Sequence, residues 1–199
     1  YEIPKRDWSS DVCSSDLSDT DINMNVRRYN SDLTLDETFM APSFNGNDNG
    51  YVRSVVEQSD GKIVVVGHFD IVGENTAVKI CRLNSDGSFD STFVSGSGFN
   101  NNALVVRVLG DNTLLVGGSF QSYNGVAVHR LVKLNADGGL DTTFSGHVTF
   151  NSAVHEIFVD SDTGKIYVGG QFGGGMKRLN ADGTNDGTFS VNLNNRVTS

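Results

Sequence analysis

One twelve-residue phrase recurs four times along the chain, and it restricts the fold more than any other feature. The copies are Arg28-Tyr-Asn-Ser-Asp-Leu-Thr-Leu-Asp-Glu-Thr-Phe39, Arg82-Leu-Asn-Ser-Asp-Gly-Ser-Phe-Asp-Ser-Thr-Phe93, Lys133-Leu-Asn-Ala-Asp-Gly-Gly-Leu-Asp-Thr-Thr-Phe144 and Arg178-Leu-Asn-Ala-Asp-Gly-Thr-Asn-Asp-Gly-Thr-Phe189. Their final Phe residues are spaced 54, 51 and 45 residues apart. A period of this size marks an array of supersecondary units, none of which buries its apolar face alone. A second marker, Phe69, Phe120 and Phe172, divides each unit into a steady part of 30, 27 and 28 residues and a variable part of 24, 24 and 17. The last unit is shortened where Gly173–Gly175 stands for the longer Gln121–Gly125 connection.

Each unit reads as strands joined by tight turns. A first apolar strand is predicted at Val52–Val56, Leu104–Leu109 and Val154–Val159. The turns that follow, Ser59-Asp-Gly61, Gly110-Asp-Asn112 and Ser161-Asp-Thr-Gly164, supply the positive φ that hairpins need. The second strand is predicted at Lys62–Gly67, Thr113–Gly118 and Lys165–Gly170, and its apolar residues are consecutive instead of alternating. Both faces of such a strand must be covered. In an antiparallel meander, coverage on both faces requires a neighbouring sheet on each side. A third strand is predicted at Ala77–Leu83, Val126–Leu134 and Met176–Leu179, and the Asp-x-Thr-Phe segment supplies a short fourth. No helical period is visible.

These features describe an all-β chain: a partial β-propeller of about three antiparallel blades, with part-blades at both ends. The units run over about 40–93, 94–144 and 145–189, with partial units at 18–39 and 190–199. A parallel β-solenoid is the rival architecture, and its shorter rungs and lack of Asp-Gly hairpins count against it. Asn194-Asn-Arg-Val197 resembles Asn101-Asn-Ala-Leu104 before a first strand, so the chain is expected to break off in mid-unit at both ends.

The repeat resembles the delta-60 repeat family, described as a domain-of-unknown-function β-propeller of secreted bacterial proteins. The likeness rests on Arg82–Phe93, Asp60–Phe69, Leu114–Phe120 with Tyr123-Asn-Gly125, and Asp162–Phe172, and it extends over 27–199. Departures are Asn112-Thr113 in place of Gly-Lys, His68 in place of a small residue, and the absence of Tyr-Asn-Gly from the last unit. The resemblance implies a large secreted or surface protein with many such repeats, and it carries no established activity. Residues 6–17 match nothing downstream and resemble a translated sequencing adapter, as GAC GTG TGC TCT TCC GAT CT encodes Asp-Val-Cys-Ser-Ser-Asp-Leu. The segment 1–17 is therefore set apart as non-native, with Trp8 and Cys13, and it lacks the basic and apolar regions of a signal peptide.

A net charge of -9 and a pI near 4.7 repel phosphate backbones, which excludes nucleic acid as a partner. The longest apolar runs, such as Ile63–Val66, fall far short of the ~20 residues of a transmembrane helix. Cys81 lies in an apolar strand pattern and reads as core. The expected partners are a protein or glycan of unspecified identity and the remaining blades of the full-length protein.

No catalytic, cofactor-binding or metal-binding residue is assigned, and no cofactor is expected. The Asn-x-Asp-Gly-x-x-Asp sets (Asn84, Asp86, Asp90; Asn135, Asp137, Asp141; Asn180, Asp182, Asp186) offer oxygen ligands that would suit weak Ca²⁺ binding. Turn formation explains them better, since Asn and Asp bond to their own backbone there. His68, Ser119 and Gln171 share one strand-end level and form no catalytic set. His155 and Glu156, as strand neighbours, are expected to face opposite ways. His129 and His147 fall in the third strand and a loop. Gly169–Gly175 lacks the spacing of a phosphate loop. The recurrent Phe residues are expected to plug the core between blades.

The functional expectation is a non-catalytic module for binding, adhesion or scaffolding, outside the cell or on its surface. Its specificity is expected in the connections Ile71–Thr76 and Gln121–Gly125. The alternative is a fragment of a propeller enzyme, a glycan hydrolase or lyase, whose site lies in blades beyond this sequence.

Overall fold

The computed structural model describes residues 26–46 and 50–190. The adapter-like segment, with Trp8 and Cys13, and the Asn194–Val197 stretch lie outside the described residues. In chain order the elements are β1 (Phe44–Asn45), β2 (Tyr51–Glu57), β3 (Ile63–His68), β4 (Ile71–Val72), β5 (Asn75–Thr76), β6 (Ile80–Leu83), β7 (Ala103–Val108), β8 (Leu114–Gly118), β9 (Ser122–Tyr123), β10 (Val126–Ala127), β11 (Leu131–Leu134), α1 (Thr142–His147), β12 (Val154–Val159), β13 (Ile166–Gly170) and β14 (Met176–Leu179).

Three antiparallel blades, β2-β3-β6, β7-β8-β11 and β12-β13-β14, each place the second strand in the centre. The first strands β2, β7 and β12 of neighbouring blades lie side by side, as the inner strands of a propeller do. Central strands are buried by neighbours on both faces. Val64 and Val66 of β3 join a core with Ala103, Val106, Leu114 and Val116 of the second blade. Ile63 and Val65, one residue out of phase, face Phe39 and Phe44 instead. The alternation repeats in β8, where Leu114 and Val116 look back and Leu115 packs against Val154, Ile166 and Val168 of the third blade. The hydrophobic cores therefore lie between blades, and consecutive apolar residues are what such an arrangement requires.

The recurrent Phe residues occupy these cores. Phe39, Phe93 and Phe144 are buried, whereas Phe189 is half-buried. Phe69, Phe120 and Phe172 each meet a ring from the preceding connection, at centroid distances of 5.1 Å for Phe44, 4.2 Å for Phe99 and 4.6 Å for Phe150.

Three sequence expectations need correction. The third strand starts later than predicted in the first two blades, because Lys79 and Arg130 adopt φ of 66°, which ends extended backbone just before β6 and β11. Gly175 holds the same place at φ 67°, and there the predicted start at Met176 is right. In the second blade Val126–Ala127 instead pairs with Ser122–Tyr123 as a separate small hairpin. The Asp-x-Thr-Phe segments form no fourth strand; the residue before each makes a single bridge, Tyr29–Leu35, Leu83–Phe89, Leu134–Leu140 and Leu179–Asn185.

The third correction is the short helix α1, where no helix was expected. Asp90 and Asp186 are each held by two cations, Arg82 with Lys62 and Arg178 with Lys165. In the second unit Lys133 and Thr113 stand at those two places. Asp141 is left to cap a helix, accepting hydrogen bonds from Thr143 N–H and Phe144 N–H.

Every inner strand carries a bulge at one level, at Arg53, Leu104 and His155. Gly67, Gly118 and Gly170 lie opposite it, and a methyl on any of them would collide with the carbonyl oxygen of Tyr51, Asn102 or Ala153. Gly118→Ala is accordingly expected to destabilise the fold by about 1–3 kcal/mol in urea denaturation. Gly110→Ala, where a methyl meets open space, is the control and should leave the midpoint in place.

Candidate functional site

The antiparallel registers sort the connections onto two ends of the blades. Glu57 pairs with Ile63, and Ile63 with Leu83, so the hairpin turns and the Asn-x-Asp-Gly turns share one end. Tyr51 pairs with His68 and Val66 with Ile80, so the blade-to-blade connections and the small hairpins share the other. These are the turn end and the loop end.

At the turn end the polar groups are consumed internally. Asp86 Oδ1 accepts from Ser88 N–H at 2.9 Å and from its hydroxyl at 2.7 Å, and Asp182 does the same with Thr184 at 2.9 and 2.6 Å. Asp137 accepts from Gly139 N–H. Asp90 Oδ1 accepts from Thr92, while its Oδ2 receives Lys62 Nζ at 2.8 Å and Arg82 Nε at 2.6 Å. Burial alone would raise the Asp90 carboxyl, yet the bonds from Lys62, Thr92 and Arg82 together hold it well below the usual carboxylate range. Hydrogen bonds from Thr188, Lys165 and Arg178 depress Asp186 likewise. Asn84 and Asn180 bond to Ser88 and Thr184 within their own turns.

These donors engage both oxygens of Asp90 and Asp186 and one oxygen each of Asp86, Asp137, Asp141 and Asp182, which favours turn formation over a calcium site. Excess EDTA is expected to leave the melting temperature unchanged. A drop of more than a few degrees would reveal a bound cation that the folded protein needs.

The arginine of the phrase is a structural residue that motif reading missed. Arg82 reaches Asp90 and Thr92 of its own unit, Gln58 Oε1 at 3.2 Å, and the Ala136 carbonyl of the next blade at 2.6 Å. Gln58 is buried too, and its amide donates to the carbonyls of Asn112 and Ala136. The available signal was the invariant eight-residue step from a basic residue to the second Asp in all four phrases.

The loop end is built differently. Tyr51 and His68 are half-buried and stack at 5.3 Å with an interplanar angle of 22°, and Arg53 lies 4.9 Å over the Tyr51 ring. His68 Nδ1 meets Asn102 Oδ1 from the second blade. A cation, two rings and an amide thus converge at the rim between the first two blades. Of the level His68, Ser119 and Gln171, only His68 enters this cluster. The small hairpins β4–β5 and β9–β10 rise from the same end, with Ile71 and Val126 exposed.

The remaining candidates are dispersed. The bulge falls on His155, so the strand alternation expected to turn it away from Glu156 is broken there. Glu156 pairs across blades with Arg107, whose Nε also donates to the Ile157 carbonyl. His147 Nδ1 bonds the Asp182 carbonyl at 2.9 Å, and His129 is exposed beside β10. Cys81 is buried in the first core, which pushes its thiol pKa up. Two shallow clefts flank α1: one of about 320 Å³ lined by His147, Phe150 and Lys177, the other of about 200 Å³ lined by His129, Thr142 and Ser145.

Comparison with known proteins agrees with this architecture. No curated protein matches the sequence. Among solved structures, the crystal structure of the extracellular domain of BT4673 from B. thetaiotaomicron is similar in fold, with a TM-score of 0.52 at 16% identity over 86% of this chain. The chain spans 22% of that one's length. A family profile described as the domain of unknown function (DUF5122) beta-propeller matches residues 58–93, 109–144 and 162–189, half of the sequence. Each match runs from before a second strand to the Phe of a repeated phrase, and the chain belongs to the DUF5122 β-propeller family.

Proposed function

We propose that the chain is a non-catalytic module that binds a protein or glycan through its loop end, outside the cell or on its surface. The observation that carries this reading is the contrast between the two ends. Turn-end side chains bond within and between units; the Arg–Asp–Thr set repeats at Arg28, Arg82 and Arg178 and gives way to the Asp141 helix cap in the second unit. Loop-end connections differ from blade to blade: a hairpin at Ile71–Thr76, a second at Ser122–Ala127, and the short Gly173–Gly175 link in the third blade. Variation confined to one rim over a constant stacked core is how repeat folds acquire specificity. The extracellular assignment is supported by the similar fold, which its title describes as an extracellular domain. No helix among the described residues is long and apolar enough to cross a membrane.

A glycan and protein-ligand array tests the reading, with Tyr51→Ala and Arg53→Ala chains run in parallel. The expected result is retention of a ligand without turnover, lost in the variants while their melting temperatures hold. Turnover of any sugar polymer, or a ligand held equally well by both variants, would overturn it.

A further inference from the structure

The first two ring pairs in the cores are roofed by apolar side chains from three corresponding positions. Val72, Cys81 and Phe89 pack in one core with Phe44 and Phe69. Tyr123, Val132 and Leu140 do the same with Phe99 and Phe120, and the Tyr123 hydroxyl donates to the Gly138 carbonyl at 2.6 Å. Register establishes the correspondence. Phe44 pairs with Val72 and Phe99 with Tyr123; Cys81 pairs with Val65 and Val132 with Val116; Phe89 and Leu140 bridge to Leu83 and Leu134.

Over the third ring pair, Phe150 and Phe172, all three positions change. The short Gly173–Gly175 link offers no side chain in the place of Val72 and Tyr123, and a Cβ on Gly173 would meet open space. Lys177, paired with Val168, stands where Cys81 and Val132 stand. Asn185, bridged to Leu179, stands where Phe89 and Leu140 stand. The space left is the cleft of about 320 Å³, with Val148, Phe150 and Leu179 in its apolar lining and His147, Lys177 and Asn185 among its polar groups. Its two walls are the connection after α1 and the strand β14, so it lies between the second and third blades.

Lys177 distinguishes this cleft from a simple packing gap. Its Nζ lies 5.3 Å from the Phe150 centroid and 5.9 Å from that of Phe172. Among the described residues no oxygen accepts a hydrogen bond from it and no carboxylate pairs with it. A half-buried ammonium over two rings keeps part of the cation–π attraction, but it gives up water that no anion here replaces. His147 donates from Nδ1 to the Asp182 carbonyl, so its neutral ring keeps Nε2 as an acceptor.

We propose that this cleft binds a free sugar acid, with the carboxylate on Lys177 Nζ and hydroxyls on Asn185 and His147. Its volume is at the small end of ligand sites, which run to roughly 300–1,000 Å³, and it suits a single ring. An aliphatic acid would leave the amide and the imidazole unmatched, and a neutral sugar would leave the ammonium so. The site is separate from the cluster of Tyr51, Arg53 and His68 and does not rest on it.

Isothermal titration of the whole chain with D-glucuronate tests the assignment. Glucose serves as the ring without the carboxylate, and acetate as the carboxylate without the ring. Saturable binding of glucuronate is expected, about tenfold tighter than either comparison, and Lys177→Gln should weaken it about tenfold or more. The double change Lys177→Val with Asn185→Leu rebuilds the apolar roof of the second blade and should abolish binding; a thermal melt confirms that each variant is folded. The Tyr51→Ala chain should bind glucuronate as the wild type does, which keeps a failure here distinct from a failure at the loop end. Absence of saturable glucuronate binding overturns the proposal. So does equal binding of glucose or acetate, binding that survives Lys177→Gln, or binding that is lost with Tyr51→Ala.

Discussion

Arg82→Ala is expected to lower stability by about 3–5 kcal/mol, read as a large drop in the urea midpoint. The guanidinium and the Asp90 carboxylate have only 8% and 4% of their side-chain surface exposed. Deleting the cation strands a buried carboxylate with Lys62 as its remaining charged partner, and it also strips donors from Gln58 Oε1 and the Ala136 carbonyl. The cost comes mainly from the under-paired Asp90 carboxylate and from Gln58 Oε1, because a buried acceptor that loses its donor is not compensated by water; the Ala136 carbonyl keeps the Gln58 amide. The double change Arg82→Ala with Asp90→Ala should therefore cost less than the sum of the two single changes. Arg178→Ala is the internal comparison. Arg178 makes the same bonds to Asp186 and Thr188 but is more exposed and, among the described residues, reaches no carbonyl of a following unit, so a much smaller drop in the urea midpoint is expected. An unchanged midpoint for Arg82→Ala would mean that the junction is held by apolar packing alone.

The blades were legible because their signal is nearly local. Runs such as Ile63–Val66 have no polar face to give to water, and the structure covers alternate members with different neighbours, Val64 and Val66 on one side and Ile63 and Val65 on the other. Hairpin positions were legible for the same reason: positive φ selects Gly61, Asn112 and Gly164 from residue chemistry alone. The start of the third strand was not legible. Lys79 and Arg130 carry side chains that give no hint of positive φ, and what holds them there is tertiary: Lys79 Nζ bonds Asp70, and Arg130 bonds the Phe150 carbonyl. Helix α1 hides for a related reason. Asp141-Thr-Thr-Phe144 reads like its sister phrases, and the difference lies at two other places: Thr113 and Lys133 stand where Lys62 and Arg82 hold Asp90 and where Lys165 and Arg178 hold Asp186.

The candidate site divides the same way. The turn-end carboxylates were read correctly as turn formers from composition, since each bonds to a residue two positions on. The loop-end cluster was visible in one member only. His68 stood out as a departure from its repeat, but Tyr51 and Arg53 precede it on another strand, and Asn102 comes from another blade. Convergence of that kind is a product of register and blade packing. The inner-strand bulge is equally invisible in sequence. It breaks the strand alternation at His155, where a two-residue period would otherwise be a sound guide.

Phe144→Ala should cost about 3–5 kcal/mol, comparable to the loss of Arg82 but for a different physical reason. The ring is 2% exposed and belongs to the core shared by Leu131, Val148, Phe150, Phe172 and Leu179, so truncation opens a cavity between the second and third blades. Collapse to fill that cavity is obstructed from above. Gly183 in the third-blade turn already sits so close that an added Cβ would lie 3.0 Å from the Phe144 ring, and the His147–Asp182 bond pins the segment beside it. A rigid lid over a new void is the circumstance in which large-to-small changes cost most. Phe189 ends the fourth phrase in the same way and is only half-buried, so Phe189→Ala should move the urea midpoint much less, by about 1 kcal/mol. Burial between neighbouring blades, and not the phrase itself, would then determine the worth of each recurrent ring. Equal losses at Phe144 and Phe189 would contradict this, and an unaffected midpoint for Phe144→Ala would place that ring on the surface.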